Sequence, residues 1–263
     1  MDLDQNADVS IRRLGVLDRG ESAVRVLRAV GGLNANDDGD PITTVLFHRD
    51  SLDPTPWDGR EADEVRSLGS SPSNDEIVAS LRQADIDTLW LGGWSPTERA
   101  DLIEACEAVG IEVVGPDSAT VRRLADADVR RGLPGGNGQL DADAPTHRID
   151  IDVLADAHDT VWRLDTRDVS VGRDRRSLIA VAPRSPGGAE LGHRLEAAAV
   201  ELVTTVGYRG AATVMFATDG NEFVLVDVDT VAAPEHATTE ERAGASIIGW
   251  RLRIQRGEPL PSD

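Results

Sequence analysis

The chain contains no lysine; all 27 of its basic residues are arginine. Without a lysine amine it cannot form a Schiff base, carry biotin on a side chain or grip a phosphate with an ammonium group. Cysteine is almost as scarce. The single Cys106 excludes an intrachain disulfide framework and a cysteine-rich zinc site, which fits a reducing compartment. Positive charge is short overall: the formal net charge is -20, which works against nucleic acid or an anionic membrane as partner. Long apolar runs are missing too, so no segment reads as a membrane span. The opening MDLDQNADVS has no basic stretch followed by an apolar one and does not read as a signal peptide, so a cytoplasmic protein is expected.

At 263 residues the chain can bury one large core or two modest ones, and two lobes are expected. Residues 1–131 alternate strand and helix. IRRLGVL, ITTVLFH, DTLWLGG and IEVVG read as strands. A helix over Ala23, Val26, Leu27 and Val30 is expected to end at Gly31-Gly32. In SPTERADLIEACEAVG, Ser95 caps, Pro96 opens the helix and Glu98 completes a capping box. DSATVRRLADADVRR reads as one further capped helix. The pattern predicts an α/β class, with a Rossmann-like open parallel sheet in the first lobe. Residues 132–145, containing GLPGGNGQLDADAP, read as a short flexible linker.

Residues 146–263 change character. HRIDIDVLAD alternates apolar and polar residues like a half-buried strand, and VWRLDTRDVSV and SLIAVAP follow. GAELGHRLEAAAVELVTTVG is a long amphipathic helix. ATVMFATDGNEFVLVDVD is a hairpin turning at Asp219-Gly220-Asn221, and a helix over ASIIGWRLRIQRG closes the chain. This lobe is predicted to be α+β, with an antiparallel sheet.

In VLVDVDTVAAPEH a strand ends in Asp227 and Asp229, carboxylates that could face a divalent cation. Its surroundings, Met215, Val231, Ala232 and Ala233, do not suit phosphate chemistry. His48, His147, His158, His193 and His236 show no metal-ligand spacing. His147 with Asp150 and Asp152 reads as a solvent face. Arg167, Arg173, Arg175 and Arg176 in RDVSVGRDRR form the most basic stretch, an anion or partner patch set against simple local charge balance. Trp57, Trp90 and Trp94 read as core packing, with partial exposure near the lobe's edge as the alternative.

Taken in order, these segments resemble a family, the biotin carboxylase component of biotin-dependent acyl-CoA carboxylases, with an ATP-grasp fold. LGVLDRGESAVRVLRAV resembles "ANRGEIAxRIxRA" and LIEACEAVGIEVVGP resembles the helix and strand ending in "GIxFIGP". RIDIDVLAD is similar to "HIEVQVLAD", RDVSVGRDRR to "RDCSVQRRHQ" and VGYRGAATVMF to "xGYxGAGTxEF". FVLVDVDTVAAPEHATTE is similar to "FxFxEMNTRxQVEHPVTE", and LRIQRGEPLP to "LRIAAGxPLP".

The resemblance implies ATP, magnesium and biotin as the family's ligands, and it marks where this chain departs. The family's two magnesium-holding glutamates fall at Met215 and Asp227, and the neighbouring asparagine at Asp229. The arginine and glutamine that handle bicarbonate fall at Val231 and Ala233, while the Glu-His pair is kept as Glu235 and His236. The lysine of "RRHQK" falls at Ser177 and that of "GDK" at Ala127. The linker stands where the family carries a glycine-rich lid, and the family's further C-terminal lobe has no counterpart here. The expectation is a pseudoenzyme with no catalytic residues and no cofactor. Asp227 and Asp229 remain a candidate metal pair, and Arg173, Arg175 and Arg176 a candidate partner surface. The implied partners are carboxyltransferase or other carboxylase components, or a second copy of the chain. The alternatives are a residual ligase using nucleotide or acyl-CoA in the old cleft, and a degraded fragment.

Overall fold

The computed structural model describes residues 10–36, 39–48, 57–93, 95–140, 146–173, 176–182, 187–231 and 236–261. Two compact units result. The first takes in the chain up to Val121 with Val231–Ala233 and Ile248–Glu258, and the second takes in Arg122–Thr230, Pro234–Ile247 and the chain from Pro259.

The first unit is built on a parallel sheet of β1 (Arg13–Leu17), β2 (Thr43–His48), β3 (Glu64–Ser67), β4 (Thr88–Leu91) and β5 (Glu112–Val113), in the order β3-β2-β1-β4-β5. Its central strands are apolar on both sides because both faces are covered. Leu14, Val16, Leu46 and Trp90 pack with Val26, Leu27 and Val30 of α1 (Gly20–Asn36) and with Ile248 and Leu252 of α8 (Ile247–Gln255). Val45, Phe47 and Leu89 pack with α2 (Asn74–Gln83) and α3 (Pro96–Glu107). Capping boxes start both of these helices, Ser73 with Glu76 and Ser95 with Glu98. Trp90 is buried, with the Arg251 guanidinium 4.4 Å above its ring, whereas Trp57 is 58% exposed and Trp94 lies outside the described residues.

Helix α1 does not end at Gly31-Gly32. It runs on to Asn36 because Leu33 is buried against the sheet and the Asn34 side chain brackets Ile42, donating to its carbonyl at 2.9 Å and accepting from its amide at 2.8 Å. Tertiary contacts here outweigh the helix-weakening effect of two glycines. The single helix expected over DSATVRRLADADVRR is two, α4 (Ser118–Ala125) and α5 (Ala127–Arg131). Asp126 breaks them by accepting from the amides of Asp128 (2.8 Å) and Val129 (3.3 Å) as the cap of α5.

The second unit is an antiparallel sheet in the order β10-β9-β6-β7-β8, formed by β6 (His147–Ala155), β7 (Val161–Arg173), β8 (Arg176–Val181), β9 (Gly210–Thr218) and β10 (Phe223–Asp229). The hairpin turns at Asp219, whose carboxylate accepts from the amides of Asn221 and Glu222, each at 2.8 Å. Ile149, Ile151, Val153, Val214 and Phe216 lie against Leu195, Ala199 and Leu202 of α6 (Gly188–Val206). The short α7 (His236–Ala243) packs in the same unit.

Residues 132–140 are fitted to the sheet. Leu133 is buried, and the Gly135 carbonyl accepts the Leu225 amide at 2.8 Å. A side chain at Gly136 would come within 2.0 Å of the Arg130 carbonyl oxygen, and one at Gly138 within 1.9 Å of the Phe223 carbonyl oxygen. Gly136 thus allows a close approach to α5 and Gly138 to β10, an edge strand, and the rest of the linker lies outside the described residues.

Candidate functional site

In the antiparallel sheet successive side chains point to opposite faces, and residues directly paired share one. With Ile149, Ile151, Val214 and Phe216 committed to α6, the opposite face receives the residues between them. The register places Asp150, Met215 and Asp227 side by side on β6, β9 and β10, and Asp152, Thr213 and Asp229 in the next row. The hairpin therefore brings Met215 and Asp227 together, the positions the family resemblance singles out. A thioether is a poor ligand for a hard divalent cation.

Asp227 accepts the Val228 amide at 3.0 Å, and the guanidinium of Arg130, on α5, lies 3.7 Å from its Oδ1. Arg130 is held in turn by the Leu124 carbonyl at 2.5 Å. Asp229 is half-buried on the same face. Among the described residues no three His, Cys, Asp or Glu side chains gather in a way that could hold a metal ion. Of the remaining positions, Ala127 is exposed at the start of α5 and Val231 is half-buried after β10. Ser177 pairs through its backbone with Gly172. Ala233, Glu235 and Arg175, and the side chains of Arg173, Arg176 and Ser177, lie outside the described residues.

The chemistry of this face centres on a residue that pattern reading sends to solvent. His147, Asp150 and Asp152 do not form a solvent face: Asp152 is 1% exposed and Asp150 is buried. Arg167 of β7 is not a surface cation either, being 1% exposed and engaging both oxygens of Asp152 through Nη1 and Nη2. Thr213 donates to Oδ1 at 2.8 Å and Thr239 to Oδ2 at 2.6 Å, and His236 Nε2 stands 3.4 Å from Oδ1 and 2.9 Å from the Thr213 hydroxyl. Burial alone would push the Asp152 carboxyl up. The hydrogen bond and charge of His236, with those of Arg167, outweigh it and hold the group far below the usual carboxylate range. Threonine, histidine and aspartate are in contact here, but all three side chains are buried and the Thr213 hydroxyl donates to the carboxylate, unlike a nucleophile that donates to its histidine base. Alternation alone hides this cluster, because a polar position paired with a buried partner looks like one facing water. In sequence Asp152 and Arg167 stand among other polar residues of the same strands, such as Asp150, Asp165 and Asp168, and nothing marks them out.

In the parallel unit, the crevice at the ends of β1 and β4 is where α/β sheets commonly take ligands. The Asp18 carboxylate stands just before α1 there, accepting from the Arg19 amide (2.8 Å) and the Ser22 hydroxyl (2.6 Å), and the Gly20 amide donates to Asp58 at 2.5 Å. The helix N-terminus is thus filled by carboxylates, which would repel a phosphate. Burial, aided by the neighbouring Glu107 charge, pushes the Cys106 thiol up to about 12.

Comparison with known proteins accords with this architecture. Residues 10–121 match the biotin carboxylase N-terminal domain, and residues 143–263 match the ATP-binding domain of the carbamoyl-phosphate synthase L chain. Together they define a protein of the ATP-grasp class. More closely, the relatives that the chain is similar to across both domains are biotin carboxylases and subunits of biotin-dependent carboxylases. The alpha subunit of mitochondrial methylcrotonoyl-CoA carboxylase from Oryza sativa is 24% identical over 96% of this chain and 44% of its own length. Biotin carboxylase 1 of Bacillus subtilis is 25% identical over 95% of this chain and 71% of its own. The crystal structure of a biotin carboxylase from Campylobacter jejuni superposes with a TM-score of 0.82 at 19% identity, over 96% of this chain and 72% of that one. The chain thus spans less than half of the rice subunit. Among the described residues no helix is long and apolar enough to cross a membrane.

Proposed function

We propose that this chain is a biotin-carboxylase-like protein that does not turn over ATP and acts as a non-catalytic component beside a biotin-dependent acyl-CoA carboxylase. The observation that carries this reading is the row Asp150–Met215–Asp227, in which a thioether stands between two carboxylates and Asp227 faces Arg130. Phosphoryl transfer depends on positive charge placed around the phosphates. This face presents carboxylates, its buried arginine is engaged by Asp152, and the chain has no lysine. On this reading Ser177, Val231, Ala233, Glu235 and Ala127 are retained positions of a site without its chemistry, and no cofactor is bound.

Magnesium-ATP binding tests it. Ligand at about a hundred times its dissociation constant would stabilise the fold by roughly 2.7 kcal/mol, a visible rise in melting temperature. The expected result is no shift at millimolar Mg-ATP, and a clear rise would overturn the reading in favour of a residual ligase.

For partners the reading points to a carboxyltransferase or another carboxylase component. The edge strand β8 supports it, since Leu178, Ile179 and Val181 are exposed there together with Val171 on β7, an apolar edge that a partner would cover. Arg173, Arg175 and Arg176 sit beside it in sequence and would steer an acidic partner. Changing these three arginines to alanine is expected to slow association with the co-purifying component, less so at high salt. An abundant folded chain that retains no carboxylase component from its native cell would count against the assignment.

A further inference from the structure

The buried cluster on β6 has the composition of a ligand-binding site. A guanidinium fork from Arg167, hydroxyls from Thr213 and Thr239, and the imidazole of His236 converge on one carboxylate. None of these side chains is more than 2% exposed. Forked donation by arginine, supplemented by neutral hydroxyls and shielded from water, is how proteins hold small planar oxyanions. The ligand here comes from the chain itself. We propose that β7, β9 and α7 build a carboxylate-binding pocket whose permanent occupant is the Asp152 side chain, and that this occupancy fastens α7 to the sheet.

Helix α7 supplies a second, independent observation. Its buried residues are His236 and Thr239, so among its described residues it offers the unit no apolar stripe. A helix of eight residues has little stability alone and needs tertiary anchoring. Its anchors are the two residues that meet the Asp152 carboxylate and its partners, Thr239 directly and His236 beside the Thr213 hydroxyl. Because Thr213 gives its proton to Asp152, His236 donates its Nε2–H to the Thr213 oxygen, and the chain of donors ends on the carboxylate. The Arg242 guanidinium on the same helix adds a further tie, reaching the buried Asp165 carboxylate of β7 at 2.9 Å, at the end of the helix away from His236.

Cutting the side chain back to Cβ in Asp152→Ala leaves a vacancy shaped like formate, with its donors still in place. Removing one member of a buried ion pair should lower the melting temperature by roughly 10 °C. Sodium formate is then expected to restore much of that loss, whereas sodium chloride at the same concentration does not. Formate should leave the wild-type protein unchanged, because its pocket is full. An unchanged melting temperature in Asp152→Ala, or formate no better than chloride, would overturn the proposal. Should Asp152→Ala fail to fold, Asp152→Asn keeps the volume but not the charge. Its α7 amides should then exchange faster than in wild type while those of α6 do not, and equal protection of α7 would refute the anchoring role.

Discussion

On one face of the antiparallel sheet Ile149, Ile151, Val153, Val214 and Phe216 meet the side chains of α6, and on the other Asp150, Asp152, Thr213, Met215, Asp227 and Asp229 stand in two rows. The same three strands make both. Attraction on the α6 face is non-directional and scales with apolar area, so any well-filled set of side chains will do. The other face holds polar groups that must be matched one by one, since each buried charge or donor left without a partner is costly. Each charged group on that face therefore needs a partner of its own, as Asp152 has in Arg167 and Asp227 in Arg130.

The comparison predicts unequal sensitivity. Leu202, fully buried on α6, should cost about 2–5 kcal/mol on truncation to alanine, measured by urea unfolding. If the fold rested instead on the polar rows, that variant would unfold near the wild-type midpoint.

Acid probes the polar groups directly. Asp156, at the end of β6, accepts the amides of Leu260 (2.7 Å), His158 (2.8 Å) and Thr160 (2.9 Å) and so ties the chain's last described segment to the sheet. Burial raises its pKa, but those amides and the nearby His158 outweigh burial and leave it lowered. A carboxyl lowered on folding gives stability that is complete above its unfolded value of about 4 and disappears as pH falls through the folded one. The urea midpoint should therefore drop between neutral pH and strong acid, and Asp156→Asn should flatten that drop. A variant with the wild-type acid slope would show that the bonds at Asp156 contribute nothing to it.

How much could be read beforehand differs between the same two faces. The parallel strands, the capping box at Ser95, the long amphipathic helix α6 and the turn at Asp219 follow from apolar periodicity and local hydrogen bonding. Hydrophobic pattern cannot reveal α7, because its buried side chains are His236 and Thr239. Nor can it reveal β3, an edge strand of four residues with alternating partial exposure. For the candidate site, the juxtaposition of Met215 and Asp227 follows once the hairpin is recognised. The engagement of Arg167 by Asp152 does not, since it needs the register of β6 against β7 and a helix from elsewhere in the chain. The fit of Gly136 and Gly138 against neighbouring carbonyls is likewise invisible in a glycine-rich segment that reads as a plain linker.

The smallest effect is expected at the pair that faces solvent. Arg130 and Asp227 stand 3.7 Å apart, and the Asp227 side chain is 41% exposed. Water screens such a pair, so replacing either partner should cost under about 1 kcal/mol, less again in high salt. Arg130→Gln removes the charge but keeps a donor for the Leu124 carbonyl, which separates the ion pair from the fastening of α5. The expected outcome is a melting temperature within a few degrees of wild type and an unchanged response to magnesium, because Met215 still stands beside Asp227. Gain of tight magnesium binding in Arg130→Gln, read by calorimetry, would show that the arginine alone keeps a cation from the carboxylate rows. The polar face would then be a blocked metal site, and the contrast with the α6 face would have to be redrawn.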